Sequence, residues 1–115
     1  MAFIDGLDLR EILRREAPLD PERAVELIAQ VAGALDAAHA RGLVHRDVKP
    51  GNVLVASTDA GEHAYLCDFG LAKHISSVTS LTGDRNLVGT IAYISPEQIE
   101  GSAIDARADV YSLGC

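Results

Sequence analysis

His45-Arg46-Asp47-Val48-Lys49-Pro50-Gly51-Asn52 is the stretch on which the reading of this 115-residue sequence turns. It gathers one carboxylate, one carboxamide, two permanent cations and an imidazole into eight positions, between runs that are almost wholly apolar. Upstream, Leu43-Val44-His45 reads as a brief strand. Downstream, Val53-Leu54-Val55-Ala56 reads as a better one. A polar loop braced at both ends is the expectation. A polar turn over residues 57–61 leads to a returning strand over residues 63–67, which makes a small hairpin. At its end, sixteen residues past Asn52, stands Asp68-Phe69-Gly70. Residues 76–86 are dominated by Ser, Thr, Gly and Asp without periodicity, and loops of this kind in compact domains are commonly functional lids. Ser95-Pro96-Glu97 follows that segment.

The flanks read as helices. Asp8 with Glu11 three residues on is a variant of the capping box, and Leu9, Ile12 and Leu13 repeat at helical spacing until Pro18. Asp20 then caps a second helix with Pro21 at its first position. Its buried stripe is expected at Ile28, Val31 and Leu35, thickened by alanines, and Gly42 stops it. Near the C-terminus, Pro96 opens a short helical turn through Ile99, Gly101 breaks it, and a further helix starts near Ala108.

Composition narrows the function. Hydrophobic residues are 48% and charged residues 23%, which excludes a disordered chain. Three Tyr, two Phe and no Trp leave a core built from Ala, Leu, Val and Ile. Ten Lys and Arg against seventeen Asp and Glu give a net charge of −7, which excludes a phosphate-tracking nucleic-acid surface. No stretch approaches the ~20 apolar residues of a membrane span, and the N-terminus lacks a signal-peptide plan. Cys67 and Cys115 form no metal or disulfide pattern; two reduced thiols and a cytoplasmic location are expected, with any membrane anchor of a longer parent outside these residues. His39, His63 and His74 are scattered, without ligand spacing, so structural or solvated roles are expected. Cys67 is expected as a small buried residue.

Taken with their order and spacing, the three motifs resemble those of eukaryotic-like serine/threonine protein kinases. At equal usage, His45, Arg46, Asp47, Lys49 and Asn52 at these offsets arise by chance in roughly one window in three million, so the motif is specific. The runs from 88 to 101 and from 105 to 115 look like those of actinobacterial kinases, with Ser95 in place of the more usual Ala. The resemblance implies an α+β, protein-kinase-like fold in part: hinge and mostly helical C-lobe with a small β-hairpin, the N-lobe absent. Residues 1–8 would be the hinge, 9–42 two helices, 43–67 the catalytic loop and hairpin, 68–97 the activation segment, and 98–115 the start of the central C-lobe helix.

Roles follow by the same resemblance. Asp47 would take the proton of the attacking hydroxyl, and Lys49 would stand beside the transferring phosphate. Asn52 and Asp68 would hold Mg²⁺ (or Mn²⁺), an ion that prefers oxygen ligands. Ala2, Phe3 and Ile4 would meet the adenine of ATP and Asp8 its ribose. Thr90 would join Asp47 and Lys49, the mark of the serine/threonine branch, while Glu97 would pair with an Arg further downstream. His45 and Phe69 would pack under the site, Gly70 would let the backbone turn, and Asp109 would hold the backbone of the catalytic loop. Asp47, Asn52 and Asp68 could each instead be ordinary turn residues, a reading the full motif disfavours.

The expected partners are proteins carrying Ser or Thr, with a kinase dimer for autophosphorylation. No glycine-rich loop or strand lysine precedes the hinge, so these residues alone are expected to be inactive. Two other classes compete. A pseudokinase or binding module would signal by contact, and the intact Asp47, Lys49, Asn52 and Asp68 count against it. A small-molecule phosphotransferase would lack the Ser/Thr-rich segment that ends in Ser95-Pro96-Glu97.

Arg46 places a guanidinium fork, suited to phosphate, beside Asp47. Ser76, Ser77, Thr79, Ser80 and Thr82 lie in the polar segment, with Thr79 and Thr82 the favoured acceptors and Ser80 next. A phosphate there adds about −1.5 to −2 charge and would pair with Arg46, ordering the segment. Mass spectrometry of the full-length protein incubated with ATP should find phosphate between residues 76 and 82. The Thr79→Ala/Thr82→Ala double variant should lose activity; full activity would refute the regulation.

Overall fold

The computed structural model describes residues 3–69 and 91–115. A short strand β1 (Leu7–Asp8) leads directly into α1 (Leu9–Glu16), and α2 (Pro21–His39) follows. A 3₁₀ turn over Pro50–Asn52 delivers the chain into β2 (Val53–Thr58), which returns as β3 (Gly61–Leu66). Helices α3 (Pro96–Glu100) and α4 (Ala106–Gly114) complete the described elements. The three strands form an antiparallel sheet in the order β1-β2-β3, with Leu7 opposite Val55 and Val53 opposite Leu66. Helices and a small antiparallel sheet make the fold α+β, as expected.

Local chemistry starts the two long helices where the sequence places them. Asp8 Oδ1 accepts from Glu11 N at 2.8 Å, and Asp20 Oδ2 accepts from Arg23 N at 3.4 Å. Glu11 does not reach back to close a full capping box. Arg14 and Arg15 take its carboxylate instead, and their hydrogen bonds pull it down to about 2.

One cluster joins the elements: Leu9 and Ile12 from α1, Leu27, Val31 and Leu35 from α2, and Val48, Val53, Val55 and Ala64 from the loop and sheet. The stripe of α2 is therefore Leu27, Val31, Leu35 and Ala38. Ile28 is 41% exposed at its shoulder, a correction to the expected stripe. A period of 3.6 leaves such a shoulder undetermined, because residues 27 and 28 both fall within the ~100° apolar arc.

Two further boundaries differ from expectation. Residues 43–45 form no strand, and the donors of Leu43 and His45 are already committed elsewhere. Leu43 N closes the end of α2 on Ala38 O at 3.0 Å, and His45 N is taken by a carboxylate of α4. Helix α4 starts at Ala106 rather than near Ala108, since Asp105 caps it through Arg107 N at 2.9 Å. The hairpin turn is tighter than expected, with Ser57 and Thr58 paired in β2 and Glu62 in β3.

The outer edge of β3 is covered by a side chain. Gln30 of α2 donates from Nε2 to Glu62 O at 3.1 Å and accepts at Oε1 from Ala64 N at 2.8 Å, as a neighbouring strand would. Beside it Arg23 grips Glu62 through two nitrogens, each at 2.8 Å, and also contacts Glu16. That fork holds the Glu62 carboxyl below its ordinary range. A group with a depressed pKa stabilises the fold above its unfolded value and loses that contribution as pH falls through the folded one.

Gly6 is required by a close approach. A Cβ there would stand 2.4 Å from the carbonyl oxygen of Val55 and 3.0 Å from its carbon, both unyielding backbone. Gly6→Ala should therefore push β1 off β2 and destabilise by about 1–3 kcal/mol, the usual cost of overpacking. Urea unfolding measures this; an unchanged midpoint would refute the constraint.

Candidate active site

The loop between α2 and β2 is laid out by main-chain bonds before any substrate group is considered. Its anchor is Asp109 in the first turn of α4, with no solvent exposure. Oδ2 accepts from His45 N at 2.8 Å and Oδ1 from Arg46 N at 2.8 Å. His39, the last residue of α2, places Nε2 2.7 Å from Oδ2. A carboxylate only accepts, so His39 donates there. Three donors satisfy a charge that burial would otherwise make very costly.

This carboxylate also holds an unusual backbone. Arg46 has φ 70 and Asp68 has φ 62, the two described non-glycine residues in the left-handed region. Such positions cost of order 1–3 kcal/mol and persist where surroundings over-determine them, typically at functional sites. At Arg46 the surroundings are Asp109 on its N–H and the side chain of Gln98 on its carbonyl, at 2.9 Å.

His45 is 2% exposed and fully engaged. Nε2 stands 2.7 Å from Cys67 O, and Nδ1 accepts from Asp47 N at 3.1 Å. A carbonyl accepts and an amide donates, so this ring is the neutral tautomer with its proton on Nε2. Neither nitrogen is left for a substrate proton. The Phe69 ring meets it edge-on, with centroids 4.6 Å apart.

The polar side chains converge on Asp47. Asn52 Nδ2 donates to Asp47 O at 2.8 Å and to Asp47 Oδ2 at 3.0 Å. Lys49 Nζ lies 3.4 Å from the same Oδ2. Asn52 itself is buried, and its carbonyl accepts from Cys67 N at 2.8 Å. That bond draws the end of β3, and with it Asp68, to the loop. Asp47, Lys49, Asn52, His45, Phe69 and Asp68 are thus one assembly. Its available side-chain donors are hard oxygens: the Asn52 carboxamide oxygen, whose nitrogen is spent on Asp47, and the exposed Asp68 carboxylate.

Other expected positions lie apart or beyond description. Phe3 is 92% exposed and Ile4 half-buried ahead of β1. Asp8 spends Oδ1 on the cap of α1, and Arg10 stands 3.7 Å from Oδ2. Arg46 is exposed, and Glu97 lies half-buried in the first turn of α3. Cys67 is half-buried rather than buried, because it sits just past the strand with its backbone bonded both ways. Ala2, Gly70, Ser76, Ser77, His74, Thr79, Ser80, Thr82 and Thr90 fall outside the described residues.

Sequence reasoning passed over Gln98, although Ser95-Pro96-Glu97-Gln98 is itself a capping-box signature. It left His39 among the scattered histidines with structural or solvated roles, and did not foresee its bond to Asp109.

A family model described as the protein kinase domain matches residues 1–115. The serine/threonine-protein kinase PknB of Mycobacterium leprae is 44% identical over 115 residues, covering 100% of this chain and 18% of that protein. PknD of Mycobacterium tuberculosis, also a serine/threonine-protein kinase, is 49% identical over 115 residues, covering 100% of this chain and 17% of that protein. Among solved structures, the Mycobacterium tuberculosis PknI kinase domain superposes with a TM-score of 0.75 at 36% identity, over 98% of this chain and 39% of that one. The chain thus spans less than a fifth of the length of the curated relatives it matches.

The anchor can be tested alone. Asp109→Asn keeps the shape but turns one acceptor into a donor facing buried N–H groups. Each donor left unsatisfied costs about 1–3 kcal/mol, so denaturant unfolding of the protein should show a loss of that size or more. Stability within about 0.5 kcal/mol of the parent, the range of an ordinary surface change, would refute the role.

Proposed function

This chain belongs to the protein kinase domain family, and from that premise we propose that it supplies the catalytic loop of an enzyme transferring the γ-phosphate of ATP to Ser and Thr hydroxyls of proteins. The observation that carries the reading is the Asp47 carboxylate, oriented by Asn52 Nδ2 at 3.0 Å with the Lys49 ammonium 3.4 Å away. Phosphoryl transfer asks little covalent work of a protein; it asks for position and neutralised charge.

Asp47 Oδ2 is engaged by Asn52 and Lys49, so Oδ1 is the oxygen that meets the incoming hydroxyl and receives its proton. Lys49 offsets negative charge where the phosphate passes from donor to acceptor. Asn52 Oδ1 and the Asp68 carboxylate are the groups that would hold magnesium, or manganese. Two hard protein oxygens suit an ion that takes its remaining ligands from phosphate and water. Such a bound ion neutralises charge on the phosphates. His45, with both ring nitrogens committed, serves packing and orientation.

In this reading residues 1–8 are the hinge toward adenine and ribose, with Ala2, Phe3, Ile4 and Asp8 as the contacts. Residues 68–97 are the activation segment, with Thr90 near Asp47, Glu97 at its end, and Thr79, Ser80 and Thr82 as sites of phosphorylation. Protein substrates, and a second kinase copy for autophosphorylation, are the partners. No described helix is long and apolar enough to cross a membrane.

Asp47→Asn in the full-length protein should lower turnover at least ~10²-fold, the scale of losing a positioned general base. The KM for ATP should change little. Transfer at near wild-type rate, measured with radiolabelled ATP and a Ser/Thr peptide, would remove Asp47 from the role.

A further inference from the structure

Nothing in the catalytic reading uses Gln98, yet its side chain is 4% exposed and bonded at both ends. Oε1 accepts from Ser95 N at 3.2 Å and from Ser95 Oγ at 3.1 Å, while Nε2 donates to Arg46 O at 2.9 Å. Reversing the carboxamide would set N–H against N–H at Ser95 and oxygen against oxygen at Arg46. The orientation is therefore fixed by its partners.

The carbonyl that Gln98 holds belongs to the peptide joining Arg46 to Asp47. A peptide unit is planar, so its carbonyl and its N–H turn together. Gln98 holds the carbonyl end, and His45 Nδ1 holds the Asp47 N–H end at 3.1 Å. The preceding peptide is fixed by Asp109 Oδ1 on Arg46 N at 2.8 Å, and Arg46 between them sits at φ 70. Rotation about the Cα–C bond of Arg46 would turn this plane, swing the Cα of Asp47 that lies in it, and carry its carboxylate with it.

We propose that Gln98 is a positioning residue for phosphoryl transfer: its carboxamide locks the peptide between Arg46 and Asp47 and so aims the Asp47 carboxylate. It rests on the reading of Asp47 as the base. It adds a connection, because α3 follows directly on residues 68–95. A shift of that helix reaches Asp47 through one hydrogen bond.

Three variants of the full-length protein test this. Gln98→Leu removes the tether and the cap. Ser95→Ala weakens the cap and leaves the tether. Gln98→Glu keeps an acceptor for Ser95 but cannot donate to Arg46 O while ionised. Burial raises the pKa of a carboxyl, so acidification restores an O–H donor in that variant. Asp47, Lys49, His45, His39 and Asp109 line the same loop, and their contributions to a pH profile are common to variant and parent and cancel in the ratio.

Gln98→Leu should lose about 10–100-fold in kcat, the scale of a misplaced catalytic group, with the KM for ATP within about twofold. Ser95→Ala should keep the parent kcat. The kcat ratio of Gln98→Glu to parent should climb from pH 8 to pH 6. Hydrogen exchange at the Asp47 amide, followed by NMR, should quicken in Gln98→Leu and in ionised Gln98→Glu. Undiminished kcat in Gln98→Leu, an equal loss in Ser95→Ala, a flat Gln98→Glu ratio, or unchanged exchange at Asp47 would each overturn the proposal. If Gln98→Leu does not fold, the Gln98→Glu ratio and its exchange decide. A parent without transfer activity would instead overturn the functional reading, while the exchange still reports whether Gln98 holds the peptide.

Discussion

A buried carboxylate with three donors is the constraint on which the rest depends. Asp109 stands on α4, its donors come from the end of α2 and from two successive backbone amides of the loop, and it has no solvent exposure. A charge removed from water without partners would cost many kcal/mol, so the conformations that satisfy it are few. That scarcity explains why Arg46 can stay in the left-handed region. Rotating it out would strand the carboxylate and lose the bond at its carbonyl as well. Strain of order 1–3 kcal/mol is tolerable when relief costs more.

The division of labour between main chain and side chain follows. Backbone groups of His45, Arg46, Asp47, Asn52 and Cys67 bond to one another and to Asp109, Gln98 and the His45 ring. Polar side chains with chemistry to perform are spared that duty, with Asn52 sharing its carboxamide between the Asp47 carbonyl and carboxylate. Beneath them lie Val48 and Val53, both in the apolar cluster shared with α1 and α2. The site is therefore a polar surface on an apolar foundation, and its geometry is set by groups that do not themselves react.

Legibility in the sequence tracked the range of the interaction. Caps at Asp8 and Asp20 and the hairpin pairing act over a few residues and were readable from local pattern. The stretch from His45 to Asn52 was readable because its composition is improbable. The absence of a strand at 43–45 was not readable in full, since besides the local closure of α2 at Leu43 it involves Asp109, 64 residues away at His45. Likewise β1 has two residues and is specified by the fit of Gly6 against Val55, not by any alternation of its own. Gln98 carries a local capping signature that sequence reasoning passed over, and the half of its carboxamide that reaches Arg46, 52 residues away, has no local signature at all.

Distant tethers also decide how the loop responds to change. Asp109, Gln98 and the His45 ring each fix a different group within residues 45–47, from α4, from α3 and from the loop itself. Because these groups share two consecutive peptide planes, loosening one leaves the others to hold a unit that can still rock, and loosening two frees it. Their energies should then couple rather than add, as for neighbours in one network. Two other described elements are tied to the same loop, the end of β3 through the Cys67–Asn52 bond and α3 through Gln98.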